Sequence, residues 1–474
     1  MEAVTRIAIV GGGPAGYEAA QVAAELGAEV TIIESAGVGG ACVLYDCVPS
    51  KTLIATSERV TAFRHAPELG ISTSASGSVR VDLRTVNRRV RDLAAEQSAD
   101  IHDRLTRLGV RVLIGRARFA ATQPGRAFRL EVRPGTAEGE TGGDTVEADT
   151  VLVATGGTPR ILPGAEPDGE RILSWRDLYE LDELPRHLIV IGSGVTGAEF
   201  ASAYSEMGVP VTLVSSREKV LPGEDPDAAD VIERVFTDHG GMLMKQARAQ
   251  SVSKTADGVE VSLVDGRTVT GSHALMCVGS VPNTADLALA NVGLSTDAAG
   301  FIEVDRVSRT AVNGVYAAGD CTGVLLLASV AAMQGRIAMW HALGQAVQPL
   351  RLKTVAANVF THPEIATVGI GHTAVASGAV PARTVVLPLT GNARAKMQGV
   401  QHGFVKVFCR PVTGVVMGGS VVAAQASELI EPIAMAVQLG LTVNELAATI
   451  SVYPSISGSV TEAARQLVHH DDLD

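Results

Sequence analysis

Two cysteines, Cys42 and Cys47, lie close together in the segment GGACVLYDCVPSK, residues 39–51. The chain has five cysteines among 474 residues, too few for the disulfide framework of a secreted protein. Outside such a framework, a close pair is more typical of redox or metal chemistry. The sequence shows no second group of Cys and His residues that would complete a metal shell. We therefore interpret the pair as redox-active, with free thiols or a metal clip as the alternatives.

A repeated glycine-rich pattern predicts two sites for dinucleotide phosphates. Residues 7–35 and 188–216 align without a gap as an apolar strand, a G-x-G-x-x-G turn, an Ala-rich helix and a second apolar strand. The first glycine permits a tight turn, the second lets the backbone approach a pyrophosphate, and the third permits close helix packing. These glycines are Gly11, Gly13 and Gly16 in the first copy and Gly192, Gly194 and Gly197 in the second. Two correctly flanked copies, each with a helix N-terminus for the anion, favour cofactor binding over two turns without a ligand.

The two copies differ at the residue that ends the second strand. In the first copy this residue is Glu34, whose carboxylate can accept hydrogen bonds from ribose hydroxyls. In the second copy it is Ser215, followed by Ser216 and Arg217. Without the acid, no charge repels a 2′-phosphate, and Arg217 could bind one. The second site is therefore expected to accept NADPH, with NADH also possible; the alternative is an ordinary surface arginine at a strand end.

Length and charge limit the classes of protein to consider. A chain of 474 residues is too long for one core and predicts two to four domains. The formal net charge of −12 argues against nucleic acid as a partner, because phosphates would be repelled. No apolar run reaches the roughly 20 residues of a membrane span. The first apolar stretch, Ile7 to Val10, runs into a glycine-rich turn, so we expect a strand instead of a signal peptide and a cytoplasmic location.

The cysteine segment resembles the G-G-x-C-x-x-x-x-C-x-P-S-K element of the flavoprotein disulfide reductase family, which includes lipoamide dehydrogenase and glutathione reductase. The resemblance extends along essentially the whole chain. Four further segments carry it: TVLVATGGTPR at 150–160, CVGSVPNT at 277–284, GVYAAGDCTG at 314–323 and FTHPEIATVG at 360–369. It implies that the protein binds FAD and NAD(P)H and forms homodimers or higher oligomers.

The resemblance also implies roles for single residues. Cys47 would be the thiolate beside the flavin, and Cys42 the thiol that exchanges with substrate. Lys51 would lie beside the flavin ring and pair with Glu199, which follows the second glycine motif. The remaining implied cofactor contacts are Thr155 and Gly156 in the second FAD segment, Asp320 at the ribityl chain, and Gly279 in the segment that leaves the nicotinamide domain.

The chain departs from the family near its C-terminus. Disulfide reductases carry an H-x-H-P-T-x-x-E element there, whose His–Glu pair reaches across the dimer as a general acid. This chain reads TISVYPSISGSVTEAA at 449–464, which places Tyr453 at the histidine and Gly458 at the glutamate. An unperturbed phenol stays protonated to about pH 10, so Tyr453 could supply only slow acid work. Losing a general acid of typical size would slow thiol exchange by about two decades or more.

In this departure the chain resembles a subgroup of actinobacterial lipoamide dehydrogenase-like proteins that reduce quinones. We therefore expect an FAD-dependent NAD(P)H oxidoreductase that passes electrons to small quinone-type acceptors. One alternative is dihydrolipoamide dehydrogenase or a related disulfide reductase that uses the Cys42–Cys47 pair. A further alternative is a non-catalytic, redox-sensing flavoprotein.

The resemblance and the repeat together predict an α/β protein with two doubly wound dinucleotide-binding domains of the glutathione reductase type and a C-terminal α+β interface domain. We place the FAD domain at 1–150 and 279–347, the NAD(P) domain at 151–278 and the interface domain at 348–474. Within the first segment we expect a long helix over 82–108. A strand-rich excursion should follow over 125–151, with an exposed loop at its Gly/Glu/Thr-rich centre.

Overall fold

The computed structural model describes residues 4–71, 79–121, 126–133 and 143–468. Within these residues, three five-stranded sheets form the main layers, and three smaller sheets accompany them. The mixed arrangement confirms the predicted fold class, with two parallel sheets followed by an antiparallel one.

The first parallel sheet is built around the strand Arg6–Val10, which pairs with Glu29–Glu34 on one side and Thr150–Val153 on the other. Its central strands are apolar and buried, as parallel sheets with helices on both faces require. In spatial order the strands are Val315–Ala317, Thr150–Val153, Arg6–Val10, Glu29–Glu34 and Arg111–Ile114. The predicted boundary between residues 150 and 151 therefore falls inside a strand of the first sheet, which extends to Val153.

Helices cover this sheet and hold its glycine-rich turn. The expected helix over 82–108 is observed as Leu83–Arg107, and the Asp82 carboxylate caps it by accepting from the Thr85 amide at 3.3 Å. Pro14–Glu25 packs so closely on Ala328–Ala342 that a Cβ at Gly335 would lie 2.1 Å from the Ala15 carbonyl oxygen. The helices of this unit are Pro14–Glu25, Gly40–Leu44, Cys47–His65, Leu83–Arg107 and Ala328–Ala342.

Two strands of the predicted excursion join an earlier strand in a three-stranded antiparallel sheet. Its strands are Arg116–Phe119, Phe128–Arg133 and Thr145–Ala148. The predicted exposed loop at the centre of the excursion, residues 134–142, lies outside the described residues.

The second parallel sheet repeats the form of the first. Its strands, in spatial order, are Met242–Met244, Val211–Val214, Leu188–Ile191, His273–Met276 and Ile172–Leu173. The helices Val195–Glu206 and Pro226–Asp238 accompany it. An antiparallel sheet of Ala249–Lys254, Val259–Leu263 and Thr268–Gly271 completes this unit. Where the chain enters and leaves it, Gly157–Pro159 pairs with Ser280–Pro282.

The C-terminal unit is an antiparallel sheet with short helices, as the α+β prediction requires. Its strands, in spatial order, are Ala356–Val359, Glu364–Gly369, Val416–Ala423, Phe404–Cys409 and Arg383–Pro388. Its helices are His372–Ala376, Ala393–Met397, Ala426–Leu429, Glu431–Leu439, Val443–Ala447 and Gly458–Arg465. Short 3₁₀ turns along the chain are Ala66–Leu69, Asp177–Glu180, Ala285–Leu287, Leu289–Val292, Asp320–Thr322, Leu352–Thr354 and Leu389–Gly391.

A buried ion cluster joins the C-terminal unit to the second unit. Lys406, on a strand that is buried along its whole length, places its Nζ 2.7 Å from both carboxylate oxygens of Asp225. The same Nζ lies 2.6 Å from Asp227 Oδ2 and 3.3 Å from His372 Nδ1. Asp225, Asp227 and His372 would otherwise have metal-ligand spacing, but the lysine ammonium already supplies the cation.

The hydropathy of the helices bears on the question of a membrane span. Over the ranges that the structure describes, no helix combines the length and the apolar character needed to cross a membrane.

Candidate functional site

The first glycine-rich turn has the geometry of a phosphate cradle. Gly11 adopts φ +105°, and a Cβ there would lie 2.2 Å from the Ala154 carbonyl oxygen. A Cβ at Gly16 would lie 1.9 Å from the Gly11 carbonyl oxygen, so the helix packs on the turn itself. Around Gly13 the nearest atom to such a Cβ is 4.0 Å away, which leaves the backbone open. This turn therefore tolerates only glycine where it is tight and is open where a pyrophosphate would approach.

The second turn repeats this geometry. Gly192 adopts φ +109°, and a Cβ at this position would lie only 2.1 Å from the Cys277 carbonyl oxygen. At Gly197 the corresponding distance is 1.9 Å, to the Gly192 carbonyl oxygen. Gly194 has open space around it. Both turns thus fit a dinucleotide by shape, and each precedes a helix of twelve residues whose N-terminus favours an anion.

A large cavity runs from the first turn to the cysteines, with a volume of about 580 Å³. Its size is typical of a ligand site. The predicted site residues that line it are Gly11, Gly13, Glu34, Cys42, Cys47, Thr155, Gly156 and Asp320. The structure therefore brings together most of the residues that were assigned to FAD. Gly279 lies just outside the cavity lining, next to Ser280, and adopts φ +93°.

Two of the predicted site residues that line this cavity are carboxylates, Glu34 and Asp320. Glu34, which is 7% exposed, accepts from the Gly12 amide at 2.5 Å and from the Ala36 amide at 2.9 Å. These two bonds fix its carboxylate at the carboxyl end of the strand, where a ribose would lie. Asp320 opens a 3₁₀ turn, and burial, assisted by the charge of Asp46, raises the pKa of Asp320 to about 6.

The two cysteines have opposite acidities. Cys47 is the first residue of the helix Cys47–His65, a position that favours a thiolate. A hydrogen bond from the Cys42 thiol lowers the pKa of Cys47 despite its burial. The same hydrogen bond, together with burial, raises the pKa of Cys42 above its ordinary value. In the reduced form, the lowered pKa of Cys47 favours its thiolate and the raised pKa of Cys42 favours its thiol.

Lys51 and Glu199 meet at the junction of three units. Lys51 Nζ donates to Glu199 Oε2 at 2.8 Å, and the Phe360 amide donates to Glu199 Oε1 at 2.9 Å. The Lys51 ammonium also lies 4.8 Å from the centre of the Phe360 ring. Burial lowers the pKa of Lys51, but the charges of Glu199 and Cys47 outweigh burial, so its pKa lies above the ordinary value. The lysine therefore remains a fixed cation.

Two charged residues beside the cysteines were not assigned any role from the sequence. Asp46, directly before Cys47, and Arg176 both line the cavity. The Arg176 guanidinium lies 4.9 Å from the centre of the Tyr45 ring. In the sequence, Asp46 occupies a variable position of the cysteine element. The only indication of a role was that an acid lies between two cysteines. Arg176 had no signal, because the fold alone brings residue 176 to this place.

The end of the second strand in the second unit is arranged differently from its counterpart in the first. Ser215 is buried, and its hydroxyl lies 2.7 Å from that of Ser193, inside the glycine-rich turn. The Arg217 amide donates to Ser215 Oγ at 3.1 Å. Ser216 and Arg217 are exposed, and neighbouring Lys219 is paired with Asp230. Among the described residues at this strand end, Arg217 is therefore the cation that remains available to an incoming phosphate.

Tyr453 lies in the segment before the helix Gly458–Arg465, and 86% of its surface is exposed. A Cβ at Gly458 would lie 3.3 Å from Ser455 Oγ, so a side chain fits there with a small shift of that hydroxyl. Within the single chain, Tyr453 does not line the cavity that holds Cys42 and Cys47. It is presented on the surface of the C-terminal unit.

Comparisons with known proteins agree with this geometry. Residues 5–335 match the pyridine nucleotide-disulphide oxidoreductase family, and residues 355–464 match the dimerisation domain of that family. An NAD(P)H dehydrogenase (quinone) of Mycobacterium tuberculosis is 60% identical over 474 residues, which cover 99% of this chain and 95% of the relative. A dihydrolipoyl dehydrogenase of Chlorobaculum tepidum is 32% identical over 462 residues, covering 97% and 96%. The crystal structure of LpdA from Mycobacterium tuberculosis matches with a TM-score of 0.93 at 58% identity, covering 98% of this chain and 100% of LpdA.

The chain belongs to the pyridine nucleotide-disulphide oxidoreductase family. Proteins of this family are flavoproteins that use FAD and NAD(P)H. The residues present fit both cofactors, since each glycine-rich turn has the open second glycine and the tight first and third glycines that a dinucleotide needs.

Charge reversal at Arg217 tests the assignment of the second site. If Arg217 meets a 2′-phosphate, Arg217→Glu should raise the KM for NADPH by about tenfold or more, because a charge-assisted contact is replaced by a repulsion. The KM for NADH should change little. Arg234→Glu, an exposed arginine on the helix Pro226–Asp238, provides the same charge change as a control. Equal losses for the two nucleotides would show that Arg217 is only a surface residue.

Proposed function

We propose that this protein oxidises NAD(P)H and passes the electrons to small quinone-type acceptors at bound FAD, without disulfide exchange as an obligatory step. The observation that carries this proposal is the replacement of the His–Glu pair by Tyr453 and Gly458. Thiol exchange depends on that acid, whereas quinone reduction involves no thiolate leaving group. The 60% identical relative that is named NAD(P)H dehydrogenase (quinone) supports the same choice.

The chain's own residues would hold the two cofactors in separate clefts. FAD supplies hydride acceptance from the nicotinamide and electron release to the acceptor. Gly11, Gly13 and Gly16 would admit its pyrophosphate, Glu34 its ribose and Asp320 its ribityl chain. Thr155 and Gly156 would line the same cleft.

The second cleft would orient the nicotinamide. Gly192, Gly194 and Gly197 would admit the pyrophosphate of NAD(P)H. The adenosine end would reach Ser215, Ser216 and Arg217, and Gly279 would line the exit of the chain from this unit. The absence of an acid at Ser215 favours NADPH, with NADH also accepted.

Lys51 and Glu199 would stabilise charge at the point where the two clefts meet. The Glu199 carboxylate is 4% exposed and fully occupied by Lys51 and the Phe360 amide. A lysine held this way cannot swing away or lose its proton readily, so it would present a constant positive charge to the flavin ring.

The C-terminal unit would form a homodimer. It matches the dimerisation domain of the family over residues 355–464. Its surface carries several exposed apolar side chains, which would be covered by a second copy. They include Met435, Leu439, Ile450, Val452 and Tyr453.

A disulfide reductase remains the second candidate, because the cysteine pair is intact and its acidities are suited to exchange. The lowered pKa of Cys47, caused by the Cys42 thiol, provides a thiolate beside the flavin site. Dihydrolipoyl dehydrogenases match this chain at lower identity, 32% for the one from Chlorobaculum tepidum.

Serine substitutions at the cysteines distinguish the two candidates. In Cys42→Ser/Cys47→Ser, NADPH oxidation with a simple benzoquinone should stay within about threefold of wild type, since serine conserves the shape of the site and the flavin-to-acceptor path remains. Residual lipoamide turnover should vanish. FAD content, measured from the ratio of flavin to protein absorbance, controls for damage to the cavity. Loss of benzoquinone turnover together with lipoamide turnover would instead show that electrons leave through the thiols.

A further inference from the structure

Asp46 occupies an unusual position for an aspartate. It is the residue before the helix Cys47–His65, where an aspartate normally caps the helix by accepting from backbone amides. Its side chain makes no such bond. Over the described parts of the chain, the carboxyl group of Asp46 has neither a hydrogen bond nor an ion pair. Asp46 instead lines the large cavity, together with Cys42 and Cys47.

We infer that the Asp46 carboxyl is the proton donor to the bound acceptor. This inference rests on the proposed function. A quinone that becomes a hydroquinone gains two electrons and two protons. The two electrons and one proton originate in the hydride of NAD(P)H, which leaves as NAD(P)⁺. Asp46 gives the second proton to the acceptor oxygen and regains one from water.

The other groups near this place are less able to act as the acid. Lys51 donates a hydrogen bond to one carboxylate oxygen of Glu199, and the Phe360 amide donates to the other. Arg176 is an arginine, a residue type that does not commonly serve as a general acid. Asp320 opens its 3₁₀ turn at the expected ribityl position, so its oxygens would be taken up by hydroxyls. Asp46 alone among these combines a free carboxyl with a place beside the cysteines.

The surroundings of Asp46 also favour its protonated form. Burial raises the pKa of Asp46, and the nearby charge of Glu199 adds to this effect. Lys51 and Arg176 act in the opposite direction, but the balance leaves the pKa of Asp46 above its ordinary value. The titratable or charged groups that interact with Asp46 are Cys42, Cys47, Lys51, Arg176, Tyr179, Glu199, Cys277 and Asp320.

The test compares two acceptors that differ in their need for protons. Enzyme reduced with one equivalent of NADPH is mixed in a stopped flow with benzoquinone, which needs protons, or with ferricyanide, which takes electrons alone. Asp46→Asn should slow benzoquinone reduction by about 100-fold, the size of a lost general acid, and leave ferricyanide reduction unchanged. Asp46→Glu should restore much of the benzoquinone rate. Asp182→Asn, an exposed acid paired with Arg84, is the control for an acid-to-amide change.

Two further readouts do not depend on the rate alone. In wild type, benzoquinone reduction should fall as pH rises through the pKa of Asp46, because only the protonated acid donates; Asp46→Asn should lack this limb. Infrared difference spectra recorded over a pH series should show a protonated carboxyl band that is lost as pH rises and that is missing in Asp46→Asn. Equal slowing with both acceptors, or no slowing with either, would overturn the role of Asp46 while leaving quinone reduction in place. A wild-type enzyme that reduces ferricyanide but not benzoquinone would overturn the proposed function, and the Asp46 role with it.

Discussion

The double variant Tyr453→His/Gly458→Glu should raise lipoamide turnover by about 100-fold. The cysteine pair is intact, with a thiolate at Cys47 and a thiol at Cys42, so the missing acid is the principal deficit for disulfide exchange. A general acid contributes about 10²–10⁴-fold to such a step. An imidazole with an ordinary pKa near 6.5 can exchange protons at neutral pH, and Tyr453→His would supply one.

The structure leaves room for both substitutions. A histidine is smaller than the Tyr453 side chain that it would replace, and a side chain at Gly458 requires only a small displacement of Ser455 Oγ. The matched control is Tyr453→Gln/Gly458→Gln, which has polar side chains of similar size but no titrating group. Steady-state lipoamide and benzoquinone turnover would be measured for both variants. A rise in lipoamide turnover with the Gln pair as well, or none with the His–Glu pair, would mean that the missing acid does not limit exchange.

Removing the ammonium of Lys406 should destabilise the protein by about 3–5 kcal/mol, the cost of leaving a buried charge without its partner. Lys406 and Asp225 are 1% and 3% exposed, and each carboxylate oxygen of Asp225 lies 2.7 Å from Lys406 Nζ. In Lys406→Met, the apolar chain fills the volume of the lysine stem, but the Asp225 charge remains buried without its lysine partner. Asp225 also caps the helix Pro226–Asp238, so its disturbance would spread into the second unit.

The loss would be measured by urea unfolding of the FAD-loaded protein, followed by circular dichroism. Lys406→Met/Asp225→Asn is the matched control, since asparagine keeps the helix cap and removes the unpaired charge. It should recover a large part of the lost stability. A loss below about 1 kcal/mol in Lys406→Met, a value typical of exposed pairs, would show that water reaches the cluster.

The sequence predicted the fold well because its strongest signals are local and repeated. The two strand–turn–helix units around Gly11 and Gly192 follow from hydrophobic periodicity and turn chemistry, and the structure has both. The helix Leu83–Arg107 was recognisable from its length and its capping aspartate. The boundary placed after residue 150 was less accurate, because a strand that closes one unit and a linker to the next unit look alike in sequence.

The parts of the site that the sequence did not indicate depend on contacts between distant segments. Lys406 lies in a strand, where a lone lysine usually faces solvent, and only the tertiary structure brings it to Asp225. Phe360 contributes a backbone amide to Glu199, which no side-chain pattern can indicate. Asp46 can be read from the sequence, but only the helix geometry shows that its carboxyl does not cap the helix.

Steady-state oxidation of NADPH and NADH, with a simple benzoquinone and lipoamide as parallel acceptors, is the most direct test of the proposed function. The proposal predicts that kcat/KM for benzoquinone exceeds that for lipoamide by at least about 100-fold, because only lipoamide reduction needs the absent general acid. Lipoamide turnover as fast as benzoquinone turnover would contradict it, and would mean that an acid is supplied from elsewhere than positions 453 and 458.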